Sequence, residues 1–306
     1  MTWHPRQLAQ QTGRTFVVTG ANSGIGLETS RDLVSRGATV VMAVRDVERG
    51  EQARAQLSGP GTAVVAELDL ADLDSVATFA KGFAEGYESL NALVCNAGVM
   101  GGPLALTAQG FERQMGTNHL GHAALVTALW PQLHAAGGRV VLVSSIAARG
   151  GRLSATTTRD QLVAPSPYIG QVVYSNSKQA NLLFAQELHR RAGTAGSPVS
   201  AVACHPGVSQ SELFARQLRE RKLGVLVPVA KAVSKLALQS AEAGALPTLR
   251  ALDHSTPSGA FVGPSALGQF RGKPELLDVY TTGSDPATAE RLWVLTEEIL
   301  GTPLPV

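Results

Sequence analysis

Short valine-rich apolar runs alternate along this chain with longer stretches of helical period, and few folds accept that order. The runs fall at 15–19, 39–44, 63–68, 92–95, 139–144, 199–204 and 260–262. They are continuously apolar rather than alternating with polar residues, as strands covered on both faces are. Seven such strands with helices between them predict one doubly wound α/β sheet, parallel throughout, with helices on both faces. The hydrophobic fraction of 44% supplies ample material for that core. Helices are expected over 24–36, stopped by Gly37; over 108–136, stopped by Gly137-Gly138 and kinked near its end by Pro131; over 172–192, stopped by Gly193; and over 287–300. No repeat, low-complexity tract or linker divides the chain, so residues 1–306 are read as a single domain.

Two segments break the alternation. Residues 147–170, with Thr156-Thr157-Thr158 and Pro165-Ser166-Pro167, form a longer connection than such units need and are expected to shape a binding site. Residues 211–235 mix basic side chains with Leu213, Phe214, Leu218 and Leu223, which suits either an amphipathic lid or a surface helix packed on the core.

A net charge of +2 and no block of like charge argue against a nucleic-acid surface. Cys95 and Cys204 each end an apolar run, where a buried free thiol is the ordinary outcome, so a reducing, cytoplasmic setting is expected. The first residues have neither the profile of a secretory signal nor that of a membrane anchor, and no apolar stretch approaches the ~20 residues of a membrane span. His119, His122 and His205 lack the grouping of a zinc site, so no metal is expected.

Chemistry enters at two motifs. The turn Gly20-Ala21-Asn22-Ser23-Gly24-Ile25-Gly26 closes the first strand and opens a helix. Its glycines let the backbone and the helix N-terminus approach a pyrophosphate, which makes the fold Rossmann-type. The second strand ends in Arg45-Asp46. Arg45 suits the 2′-phosphate of NADP(H), whereas Asp46 is read as the N-cap of the next helix rather than as a ribose ligand. The second motif is Tyr174-Ser-Asn-Ser-Lys178. A tyrosine hydroxyl titrates near pH ~10, and a lysine one helical turn away is placed to stabilise its phenolate. Tyr168 has no such lysine and is read as loop packing or a substrate contact.

These motifs, with Asn96-Ala97-Gly98, Asn118, Ser144-Ser145 and Pro206-Gly207 in the same order, resemble the short-chain dehydrogenases/reductases along nearly the whole chain. Val44-Arg45-Asp46, Asn118-His-Leu-Gly-His122, Gln179-Ala-Asn-Leu-Leu-Phe184 and His205-Pro206-Gly207 are similar to the retinol dehydrogenase and protochlorophyllide reductase-like branch, including its bacterial members. The resemblance implies Tyr174 as general acid/base and Lys178 as the group that lowers its pKa and holds the nicotinamide ribose. Ser145, ahead of its neighbour Ser144, would polarise the carbonyl, and Asn118 would hold a water of the proton relay. It also implies that Asp69 and Leu70 border the adenine and that Asn96, Ala97 and Gly98 lie beneath the adenosine ribose. Pro206, Gly207 and Val208 would approach the nicotinamide, and Ser211 would stand where the family often has a threonine on the carboxamide. The implied activity is NADP(H)-dependent interconversion of a carbonyl and an alcohol on a lipophilic small molecule. Reduction of an enone double bond and NADP sensing without turnover are the alternatives. Animal retinoid enzymes are membrane-tethered and no tether is read here, so retinol itself is not implied. The family includes monomers and homodimers paired through the tyrosine-bearing helix.

Overall fold

The computed structural model describes residues 3–208 and 239–306. Six parallel strands appear in the expected places: β1 (Thr15–Thr19), β2 (Thr39–Val44), β3 (Thr62–Glu67), β4 (Ala92–Cys95), β5 (Arg139–Val143) and β6 (Ser200–Cys204). The seventh, β7 (Phe261–Ala266), is longer than read, and an eighth, β8 (Arg271–Leu277), pairs with it antiparallel. The sheet order is β3-β2-β1-β4-β5-β6-β7-β8, so the expectation of seven strands, all parallel, is corrected at one edge. The β8 sequence, Arg-Gly-Lys-Pro-Glu-Leu-Leu, carries charges and a proline because it is an edge strand, where both are tolerated. Pro274 faces Pro264 in the register, beyond the two residues through which β7 joins β6.

Strand residues alternate between two cores. Phe16, Val18 and Met42 pack with Leu33 and Val34 of α1 (Gly24–Ser35), Ala53 of α2 (Val47–Arg54) and Leu252 of a helix at Ala241–Leu252. On the other face, Val17 and Leu93 pack with Phe79 and Phe83 of α3 (Leu73–Gly86), Leu125 and Val126 of a helix at Gly121–Ala128, and Phe184 and Leu188 of the long helix Gly170–Thr194.

The single helix expected over 108–136 is broken into pieces. Arg113–Met115 runs into a π turn, Gly116–Leu120, then Gly121–Ala128, then Trp130–Ala136. Pro131 does not kink a continuous helix; it sits in the first turn of a new one, where its missing N–H costs nothing, and Leu129 carries the break. The C-terminal helix, Pro286–Leu300, covers this chain's own core: Trp293 stacks on Phe184 with centroids 5.3 Å apart, and Arg191 lies over the indole at 4.6 Å. Among the described residues no helix is long and apolar enough to cross a membrane.

Strands β2 and β3 lie to one side of β1 while β4 lies on the other. That switch point opens a crevice at the carboxyl ends of the strands, where ligands of such sheets bind. Trp293→Ala removes the stacked anchor of the last helix and is expected to cost about 3–5 kcal/mol of stability in urea titration; a loss under about 1 kcal/mol would mean the helix is held elsewhere.

Candidate active site

Gly20 and Gly24 adopt left-handed backbone, φ +65° and +54°, which lets β1 turn directly into α1. The cradle is closed beneath and open above. A Cβ on Gly26 would strike the Gly20 carbonyl and the Asn96 amide, whereas one on Gly24 would meet nothing within 4 Å. Asn22, Ser23 and Ile25 complete the turn at partly exposed positions. Ser23 makes no side-chain cap on α1, unlike Asp46 on α2 and Asp72 on α3. The N-terminus of α1 thus carries no side-chain cap at the carboxyl end of β1, an arrangement that suits pyrophosphate binding.

Around this cradle the other residues are distributed along the strand ends. Arg45 is exposed at the end of β2. Asp46 beside it accepts the Arg49 N–H at 3.0 Å as N-cap. Asp69 uses a carboxylate oxygen on the Ala71 N–H (2.9 Å). Leu70 is turned into the core, its carbonyl pressed on Gly121, so only its backbone can border an adenine. Asn96 donates from its amide to the Thr19 carbonyl at 2.8 Å and acts as a brace under the cradle. Ala97 follows it, and Gly98 stands where a Cβ would come 3.1 Å from Asn118 Oδ1 and 3.4 Å from Lys178 Nζ. Gly207, φ +71°, turns the chain after β6. Pro206 accepts a bond from the Gln239 amide, and the Val208 N–H donates to the Phe270 carbonyl at 2.9 Å. Ser211 and the segment 211–235 lie outside the described residues.

The helix Gly170–Thr194 brings Tyr174 and Lys178, both buried, against the end of β5. Of the two serines there, Ser144 spends its hydroxyl on the Lys178 carbonyl (2.6 Å), and the Ser145 hydroxyl accepts the Ala147 N–H at 3.2 Å while lying near enough to Tyr174 to influence it. Burial raises the Tyr174 pKa, and the Ser145 hydroxyl pulls it partly back. Lys178 Nζ donates to the Val143 carbonyl at 3.0 Å, and burial pulls its pKa down to about 8, against the influence of Cys204 and Cys95. The ammonium is therefore held by backbone, and burial rather than its charge dominates the tyrosine.

Asn118 lies in the π turn with its side chain held by three hydrogen bonds: Oδ1 accepts the Val99 N–H (2.7 Å), and Nδ2 donates to the Val99 carbonyl and to Ser177 Oγ, each at 2.9 Å. Its backbone carbonyl accepts from His122 Nδ1 at 3.0 Å. The Thr19 hydroxyl accepts the Asn96 and Ala97 N–H groups, both at 2.9 Å, which fills its lone pairs. Its proton then goes to His122 Nε2 at 2.9 Å in preference to the Val94 carbonyl at 3.2 Å, and this assigns the His122 proton to Nδ1. His122, read in the sequence as part of the Asn118–His122 motif and weighed for metal or base chemistry, is thus the link between the cradle and Asn118. Tyr168 bonds Gln114 and Glu112, at 3.2 and 3.3 Å, and so anchors the 147–170 connection on the start of the broken helix. Among the described residues no cluster of His, Cys, Asp and Glu could hold a metal ion.

A profile of the short chain dehydrogenase family matches residues 14–157. Retinol dehydrogenase 12 of Homo sapiens is 37% identical over 304 residues, covering 97% of this chain and 89% of its own. The chain belongs to the short-chain dehydrogenase/reductase family. It is an oxidoreductase of that family, with retinol dehydrogenases among its relatives. Dehydrogenase/reductase SDR family member 13 of Bos taurus is also 37% identical, over 97% of this chain and 75% of its own. A crystal structure of an uncharacterized protein from Mycobacterium Paratuberculosis superposes with a TM-score of 0.82 at 40% identity, covering 100% of both chains.

Within this family member the three buried histidines are neutral, because burial lowers the pKa of His119 to about 3 and of His122 and His205 to about 4. Their folded values lie below the unfolded ~6.5. The stability they support is therefore full above that pH and lost as pH falls toward 4, by up to about 1.4 kcal/mol per pH unit for each histidine. Urea midpoints measured from pH 7 to 5 should fall accordingly; a midpoint constant over that range would contradict the assignment.

Proposed function

We propose that the protein is an NADP(H)-dependent reductase/dehydrogenase that interconverts a carbonyl and an alcohol on an apolar or amphipathic small molecule. One observation carries this reading. The Tyr174 hydroxyl, within the influence of Ser145, stands one helical turn from Lys178, which is tied to the Val143 carbonyl at the end of β5, at the same end of the sheet as the uncapped N-terminus of α1. Bound at that cradle, the coenzyme supplies or accepts a hydride at the substrate carbon.

In reduction, Ser145 donates a hydrogen bond to the carbonyl oxygen and stabilises the charge that develops there. Tyr174 gives its proton to the same oxygen; its raised pKa keeps it protonated and ready as an acid at neutral pH. In oxidation it takes that proton back. Lys178, held by the Val143 carbonyl, keeps a positive charge beside the ribose and the phenolate that forms. Asn118, with its side chain bound on both sides, holds its carbonyl toward a relay water. Gly20 to Gly26 bind the pyrophosphate, Asp69 and the Leu70 backbone border the adenine, and Asn96 to Gly98 floor the ribose. The preference for NADP(H) is supported by Arg45, exposed at the end of β2, and by Asp46, whose carboxylate is engaged as a cap. The kinship with retinol dehydrogenases supports a lipophilic substrate. Two free, buried thiols fit a reducing compartment, so the reading includes a cytoplasmic location.

The test is NADPH oxidation by the purified protein across lipophilic aldehydes, ketones and enones. Tyr174→Phe should lower kcat at least about 100-fold with little change in coenzyme binding; an equally active variant would refute the assignment, and a product that keeps its carbonyl would put the chemistry at a double bond. Arg45→Ala should erase most of an NADPH over NADH preference of about ten- to hundredfold. Because Lys178 loses its charge as pH rises through about 8, the reductive kcat/KM should decline above that pH, and a profile flat to pH 10 would contradict it.

A further inference from the structure

A line of hydrogen bonds runs from the turn after β6 to the tip of the β7–β8 hairpin. The Gly207 N–H donates to His205 Nδ1 at 3.2 Å, His205 Nε2 lies 3.1 Å from the Tyr280 hydroxyl, and that hydroxyl donates to Gln269 Oε1 at 2.7 Å. Tyr280 has one proton, committed to Gln269, so it accepts from His205, whose proton must sit on Nε2. Each group is used in one consistent direction. The Tyr280 ring is fixed as well, edge-on to Phe261 at 4.8 Å and beneath the Arg149 guanidinium at 4.7 Å.

The far end of the line carries backbone strain. Leu267 and Gln269, neither of them glycine, take φ of +49° and +73° at the hairpin tip. Such residues persist where the surroundings hold them, and here the tip is held on two sides. The Phe270 carbonyl takes the Val208 N–H at 2.9 Å, and the Gly268 carbonyl takes Arg149 Nη1 at 3.3 Å. Arg149 belongs to the turn Ile146–Gly150 that follows Ser145. The tip therefore ties the turn after β5 to the turn after β6. A dinucleotide with its pyrophosphate on α1 and its 2′-phosphate toward Arg45 directs its nicotinamide over β4 to β6, onto that second turn.

We propose that the line His205–Tyr280–Gln269 sets the position of Pro206-Gly207-Val208 against the nicotinamide, so that Tyr280 and Gln269 are positioning residues of the active site. This rests on the coenzyme reading above. Burial supports it by keeping His205 neutral, with its pKa near 4. Tyr280→Phe keeps the ring contacts and leaves His205 and Gln269 without their partner. Gln269→Gly removes the acceptor at a partly exposed position and suits the left-handed backbone, so it relieves strain rather than adding it.

The experiment titrates wild type and both variants with NADPH and with 2′-phospho-ADP-ribose, which lacks the nicotinamide. Each variant should bind NADPH roughly tenfold more weakly, bind the truncated ligand as wild type does, and in the case of Gln269→Gly keep its thermal midpoint. Variants that bind NADPH as wild type does, or that lose both ligands equally, overturn the inference and leave the coenzyme reading standing. A wild type that binds neither ligand overturns both.

Discussion

The Thr19 hydroxyl is the point on which the two halves of the site depend. It lies fully buried at the end of β1, where the sheet switches direction, and it receives the Asn96 and Ala97 amides while giving its proton to His122. Buried polar groups of this kind are costly unless every partner is met, so the arrangement has little freedom to drift. Through it the glycine cradle, the Asn96-Ala97-Gly98 floor and the Asn118 carbonyl are held in one register, although they come from three separate parts of the chain.

Burial then sets the chemistry. Tyr174 and Lys178 are displaced in opposite directions, the phenol upward and the ammonium down to about 8, each toward its uncharged form. Lys178 stays hydrogen-bonded to the Val143 carbonyl, and the Ser145 hydroxyl offsets part of the upward shift of Tyr174. The result is an acid that keeps its proton beside a cation that is easily discharged, which suits proton delivery to an oxygen and its reversal. Cys95 and Cys204, close enough to influence Lys178, are themselves pushed up by burial and remain inert thiols.

The features legible in the sequence were those encoded locally. Strands β1 to β6 announce themselves as continuous apolar runs, and the glycine turn and the Tyr174–Lys178 pair are each contained in one short segment. What escaped was set by distant partners. Strand β8 carries Pro274 and charges because only one of its edges is paired, so its pattern does not look like a strand. The π turn around Asn118 and the break before Pro131 interrupt what is otherwise a plausible helical period. Leu70 could be placed after β3 from sequence, but its inward orientation depends on Gly121. His205 and Tyr280 meet across 75 residues, a separation over which no local pattern speaks.

A crystal structure of the NADP+ complex tests the central claim most directly. The account predicts the 2′-phosphate at Arg45, the pyrophosphate over Gly20 to Gly26, the nicotinamide ribose within reach of Tyr174 and Lys178, and the ring against Pro206-Gly207. Coenzyme bound in the reverse sense, with its adenine over β5 and β6, or bound outside the crevice, would contradict it.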